Sequence, residues 1–257
     1  MRIALLLLIT GCTTLGPMPA TTGVSAVPIG RPGGEAQLGP VPGFFLSSSA
    51  REQAQGAPIM QASAVFEPDR WIGLPGLVLG ARLFGQSGDT PGEPYVGYRR
   101  QVGDGLAIGG GVYGTTKRSS KQLASYRATR AGGEAALDAT LWEPTSWLGV
   151  HVQGAAAATY IDATGTYCVD TMGIAKDCNV DDTSLNTMIS GEQSGVYPAG
   201  TGTIALDIAR GTDSVFAGAR LAFLGAVGTM PLVRDGEKTG SDVYAAIGFT
   251  LTLGLAN

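Results

Sequence analysis

Charge is scarce in this chain: Asp, Glu, Lys and Arg together make up 15% of its 257 residues. There is one histidine, there are three cysteines, and beyond the first residues no apolar run approaches the roughly 18 that a spanning helix needs. Each shortage excludes something. Without a long apolar run, no transmembrane helix follows the N-terminal segment. A formal net charge of -4 leaves no basic surface for nucleic acid. What is plentiful points elsewhere. Forty glycines and 44% hydrophobic residues do not match a typical soluble enzyme, and they leave too much apolar surface for a fully disordered chain. A glycine-rich, weakly charged chain without spanning helices fits a β-barrel whose outer face meets lipid.

The N-terminus carries a second signal. Met1-Arg2 supplies one positive charge and Ile3 to Ile9 a short apolar run, too short to span as a helix. It ends in Leu8-Ile9-Thr10-Gly11-Cys12, which resembles the bacterial lipoprotein signal. The resemblance implies a signal peptide over 1–11 and acylation of the Cys12 thiol, with palmitate the kind of chain expected. Thr13, in place of the aspartate that family uses for inner-membrane retention, implies an outer-membrane address. An ordinary signal peptide cut near Ala20 is the rival reading. The remaining cysteines, Cys168 and Cys178, lie ten residues apart and are expected to form a disulfide in an exported protein. The alternative, a metal pair, lacks further thiols or histidines nearby.

From Thr13 to about Gly56 the sequence is rich in Gly, Pro, Ala, Ser and Thr, with prolines at 17, 19, 28, 32, 40 and 42. It reads as a flexible linker over 12–57, ahead of a barrel over 58–257. Beyond Gly76 the pattern turns to period two, the mark of strands with two different faces. The last segment is clearest. Val243, Ala245, Ile247, Phe249, Leu251, Leu253 and Leu255 share one face; Tyr244, Ala246, Gly248, Thr250, Thr252 and Gly254 share the other. The same parity recurs around Leu77–Phe84, Leu106–Tyr113, Trp147–Gln153, Thr203–Ile208 and Val215–Phe223, and less cleanly around Pro94–Val102 and Ser125–Trp142.

The joins between these segments alternate. Gly103-Asp104-Gly105, Glu143-Pro144-Thr145-Ser146 and Arg210-Gly211-Thr212-Asp213 are tight and suit hairpins. The others are longer and more polar; the longest, about 162–198, holds the cysteine pair. The expected fold is therefore all-β, an antiparallel up-and-down transmembrane barrel of about eight strands, or ten if Ile59–Phe66 adds to the count. Short turns belong on the periplasmic side and long loops outside. Over about Gly76–Asn257 the sequence resembles small bacterial outer-membrane barrels, and Gly248-Phe249-Thr250-Leu251-Thr252-Leu253 is similar to their C-terminal insertion signal. It departs from that signal by ending in Leu255-Ala256-Asn257 rather than an aromatic residue.

Few residues could carry chemistry. Arg82, Arg99, Arg130, Glu134, Asp138, Asp207 and Arg220 fall on inferred inward faces, where ion pairing is the default for charges in a dry lumen and a polar pore is the rival reading. His151 could act as a general base beside Asp138 or Glu134, but a lone histidine without a placed nucleophile reads better as a packed lumen residue. Gly109-Gly110-Gly111-Val112-Tyr113-Gly114 matches a dinucleotide pattern by letter, without the βαβ unit that would give it meaning. Asp170, Asp177, Asp181 and Asp182 lack the spacing of a calcium loop. Trp71, Trp142, Trp147, Tyr160 and Tyr244 suit interfacial girdles. No metal, cofactor or catalytic residue is expected. The chain reads as a non-enzymatic outer-membrane lipoprotein, lipid-anchored at Cys12. It would serve as an anchor or subunit of an envelope assembly of the secretion or motility type, contacting protein partners through the periplasmic linker and the extracellular loop 162–198. A narrow solute channel and a lipid-modifying enzyme are the alternatives.

Overall fold

A computed structural model describes residues 33–41, 43–45, 59–85, 92–121, 124–169, 175–176, 187–209, 216–231 and 241–256. Cys12, Cys178, the Arg210–Asp213 turn and the signal segment lie outside the described residues. The strands are β1 (Gly33–Val41), β2 (Gly43–Phe45), β3 (Ile59–Phe66), β4 (Leu77–Gly85), β5 (Gly92–Gly103), β6 (Leu106–Lys121), β7 (Ala124–Thr145), β8 (Leu148–Val169), β9 (Ala175–Lys176), β10 (Thr187–Ala209), β11 (Phe216–Pro231) and β12 (Ser241–Ala256). One short helix, α1 (Asp69–Ile72), joins β3 to β4.

The strands pair antiparallel in the order β1-β3-β4-β5-β6-β7-β8-β10-β11-β12, and β1 pairs with β12, so the sheet closes on itself. The β1 pairing Leu38↔Leu251 and the β2 pairing Gly43↔Ala246 share one register, so β1 and β2 form a single stave. β9 adds only a two-residue extension to β8. The barrel thus has ten staves, the higher of the two expected counts. The first of them lies inside the stretch expected as linker, which moves the start of the barrel from 58 to Gly33. Of its outward positions Gly34 and Ala36 are small and only Leu38 is strongly apolar, and Pro40 follows them, so no two-faced pattern stood out.

The alternation of faces holds where it was expected. Phe249 is 57% exposed and Thr250 1%, and the same in-out rhythm runs along β5, β8, β10 and β11. Outward faces carry Ile108 and Val112 on β6, Leu137 on β7, Val196, Ile204 and Ile208 on β10, and Leu221 and Phe223 on β11, all exposed. At a usual barrel tilt of about 40°, the thirteen residues from Val196 to Ile208 rise about 30 Å, the thickness of a bilayer's hydrocarbon core. An apolar belt this broad would be untenable in water.

Two expected loops are strand instead. β6 and β7 meet across residues 122–123 alone, and most of 162–198 belongs to β8 and β10, leaving only 170–186 between their ends. Thr, Ser and charged residues occupy these strand ends, so they lack the apolar face that marks a lipid-embedded strand. They extend the barrel wall past the belt. The opposite end carries the two-residue turns at 104–105 and 146–147, α1, the start of β1 and the end of β12.

Candidate functional site

Among the described residues, buried chemistry-bearing side chains gather in the lumen. Its wall is uneven. β4 to β7 point Arg82, Glu93, Tyr95, Arg99, Tyr113, Arg130 and Glu134 inward, whereas β8 to β12 present mostly small residues at mid-height, among them Ala157, Ala199, Ala222, Ala226 and Ala246. A ten-stave barrel encloses more space than an eight-stave one. Here the long side chains of one half fill it against the small wall of the other. The Tyr113 hydroxyl reaches Thr159 on β8 at 2.7 Å, and Arg82 spans from β4 to Glu134 on β7 at 2.6 Å.

The charges form two layers. In the layer farther from the turn end, Arg82 also meets Glu93 at 2.9 Å, and Arg130 meets Glu93 at 3.1 Å. The Arg82 guanidinium lies 3.7 Å from the Tyr113 ring centroid and 5.3 Å from that of Tyr95, a cation–π contact strengthened by the full burial of Arg82. Two arginines face two carboxylates, so this layer is neutral. Nearer the turn end, Arg99 pairs with Glu35 at 3.1 Å and with Glu67. Arg220 grips Asp207 through Nε and Nη2, both at 2.6 Å, the bidentate fork that suits a planar guanidinium. His151 stands between Asp138, 3.6 Å from Nδ1, and Asp207, 3.4 Å from Nε2, with the Thr140 hydroxyl 3.2 Å from Nδ1. Glu35, Glu67, Asp138 and Asp207 here face Arg99 and Arg220, two more carboxylates than guanidiniums.

All seven charged residues singled out from the sequence point into the lumen. They are not one cluster: Arg82, Arg130 and Glu134 belong to the first layer, and Arg99, Asp138, Asp207 and Arg220 to the second. Glu35, Glu67 and Glu93 complete the pairs and were not anticipated. His151 does meet Asp138, but Glu134 is committed to Arg82. Among the described residues the Thr140 hydroxyl is the side-chain hydroxyl that this histidine contacts, and no group of three potential metal ligands is found among them. Trp71, Trp142, Trp147 and Tyr160 are exposed as a girdle requires, whereas Tyr244 is fully buried in the lumen and leaves that set.

The glycines explain how the fill is achieved. A Cβ on Gly111 would sit 2.5 Å from the Tyr95 ring, and one on Gly132 2.9 Å from that of Tyr113. Tyrosine rings lie flat over inward glycines of neighbouring strands. The Gly109–Gly114 run is therefore a packing feature of β6, not a phosphate cradle.

No family model and no curated protein matches the chain. Among solved structures it is similar to Neisserial surface protein A, at 8% identity over 86% of this chain and 96% of that one, with a TM-score of 0.32. It is also similar to the CymD monoaromatic hydrocarbon channel, at 12% identity over 88% and 90%, with a TM-score of 0.30. The barrel assignment rests on the chain's own closed strand pairing.

Proposed function

We propose that the chain is an outer-membrane β-barrel that spans the bilayer as a closed plug and serves, without catalysis, as an anchor or subunit of a cell-envelope assembly. The observation that carries this reading is the combination of a lipid-thick apolar belt outside with a lumen crossed by ion pairs and tyrosine rings inside. In this reading the turn end is periplasmic. The chain enters the barrel at Gly33 on that same end, so acyl chains on Cys12 would sit in the inner leaflet, with about twenty residues of linker available for periplasmic contacts. The strand ends around Cys168 would stand outside the cell, where a Cys168–Cys178 disulfide could close the segment between β8 and β10.

A second reading, a narrow cation-conducting channel, is favoured by one feature: the surplus of two carboxylates in the layer near the turn end. Planar-bilayer recording separates the two. The plug reading expects no conductance steps from heat-modifiable, purified protein; steady cation-selective steps would replace it with the channel. Co-purification from detergent-solubilised outer membrane tests the assembly role, which fails if the barrel is recovered without stoichiometric protein partners.

A further inference from the structure

Above the apolar belt, on the strand extensions of β6 and β7, Arg118 stands directly across from Arg127. Both are exposed. Parity places both outward, since Ala107 and Tyr113 on β6 and Ala128 and Arg130 on β7 point into the lumen. Like charges directly opposite on one face destabilise a strand pair. Among the described residues neither arginine makes an ion pair. Asp162, also exposed, lies on β8 opposite Thr129, a diagonal neighbour of Arg127 on the side away from Arg118, and exposed Glu192 lies one strand further on, opposite Thr164.

The height of the pair is informative. Along β6 the outward residues run Ile108, Gly110, Val112, Gly114, Thr116, Arg118; along β7, read toward the same end, Leu137, Ala135, Gly133, Ala131, Thr129, Arg127. On both strands one threonine separates the last apolar or glycine position from the arginine. The two threonine hydroxyls lie 3.2 Å apart, just beneath the guanidiniums. That places two forked cations, with hydroxyls below, at the level where lipid headgroups begin. A planar guanidinium binds phosphate bidentately, and a phosphate between two of them relieves their repulsion.

We propose that Arg118 and Arg127 form a binding site for the phosphate of a phosphorylated outer-leaflet lipid. The proposal rests on the outer-membrane reading above. The test uses the full chain, refolded in detergent, with heat-modifiable gel migration as the check of folding. Native mass spectrometry then titrates bisphosphorylated lipid A, its dephosphorylated form and inorganic phosphate. The wild-type protein is expected to prefer the phosphorylated lipid by about tenfold or more, and R118Q/R127Q to lose that preference while keeping heat-modifiable migration. R118K/R127K, with charge kept but the fork lost, is expected to fall between them. A preference unchanged in R118Q/R127Q overturns the site, and displacement of the lipid by equimolar inorganic phosphate overturns its assignment to lipid. A wild-type protein that never becomes heat-modifiable would overturn the membrane reading itself, and the site with it.

Discussion

At the scale of single residues, the barrel depends on where side chains are absent as much as on where they meet. A Cβ on Gly39 would lie 2.0 Å from the Phe249 carbonyl oxygen, at the seam where β1 closes onto β12. A Cβ on Gly154, facing outward from β8, would meet nothing within 4 Å. Gly39→Ala is therefore expected to lower stability by about 1–3 kcal/mol, and Gly154→Ala to stay within about 0.5 kcal/mol, read from urea unfolding in detergent. The lumen pairs behave differently from surface ones. Arg220→Met leaves the buried Asp207 carboxylate with His151 as its remaining partner and should cost about 3 kcal/mol, whereas Arg220→Met with Asp207→Leu removes both charges and should recover most of that loss. If the double variant is as unstable as the single, the pair contributes more than mutual neutralisation. The inward charges were legible in the sequence wherever a strand was: Arg99, Asp207 and Arg220 follow from parity. Glu93 would have followed by counting back from Arg99 in steps of two. Glu35 was hidden in a stretch read as linker, and Glu67 lies just past the end of β3, a strand whose short sequence made its status ambiguous.

At the scale of elements, legibility tracks contrast between faces. β12 was readable because from Val243 to Leu255 the outward positions are apolar and the inward ones small, mildly polar or aromatic. β1 was not, because glycine, alanine and proline give almost no contrast and prolines are uncommon within strands. The upper halves of β6, β8 and β10 were taken for loops because water lies beyond the belt there, so the pattern no longer alternates by hydropathy. Strand pairing alone extends them. Within the belt the outward face is intolerant of charge. Leu251→Arg, near the middle of the outward face of β12, is expected to cost about 2–4 kcal/mol when unfolding is measured in lipid bilayers. Exposed Ser194→Arg, beyond the belt on β10 and opposite Asp162, is expected to cost little. Equal effects at the two positions would contradict the assigned belt.

At the scale of the whole molecule, the sequence and the structure agree on a closed antiparallel barrel with short turns at one end, and differ on its size and on where it begins. Ten staves require a larger fill than eight, which is met mainly by tyrosines, arginines and glutamates of β4 to β7, with Tyr197, Arg220 and Tyr244 added from the other half of the wall. That fill is the basis for reading the barrel as a plug, and the apolar belt is the basis for placing it in a membrane. The belt is the more fundamental of the two, since a plugged barrel outside a membrane would be a different protein. The direct measurement is a nitroxide scan along β12 in liposomes, in a background with Cys12, Cys168 and Cys178 replaced by serine. Labels at Ile247, Phe249 and Leu251 are expected to collide with lipid-dissolved oxygen and to be shielded from a water-soluble relaxant, while labels at Gly248 and Thr250 show low access to both. Equal oxygen access at odd and even positions, or access of the water-soluble relaxant to Phe249, would contradict the account.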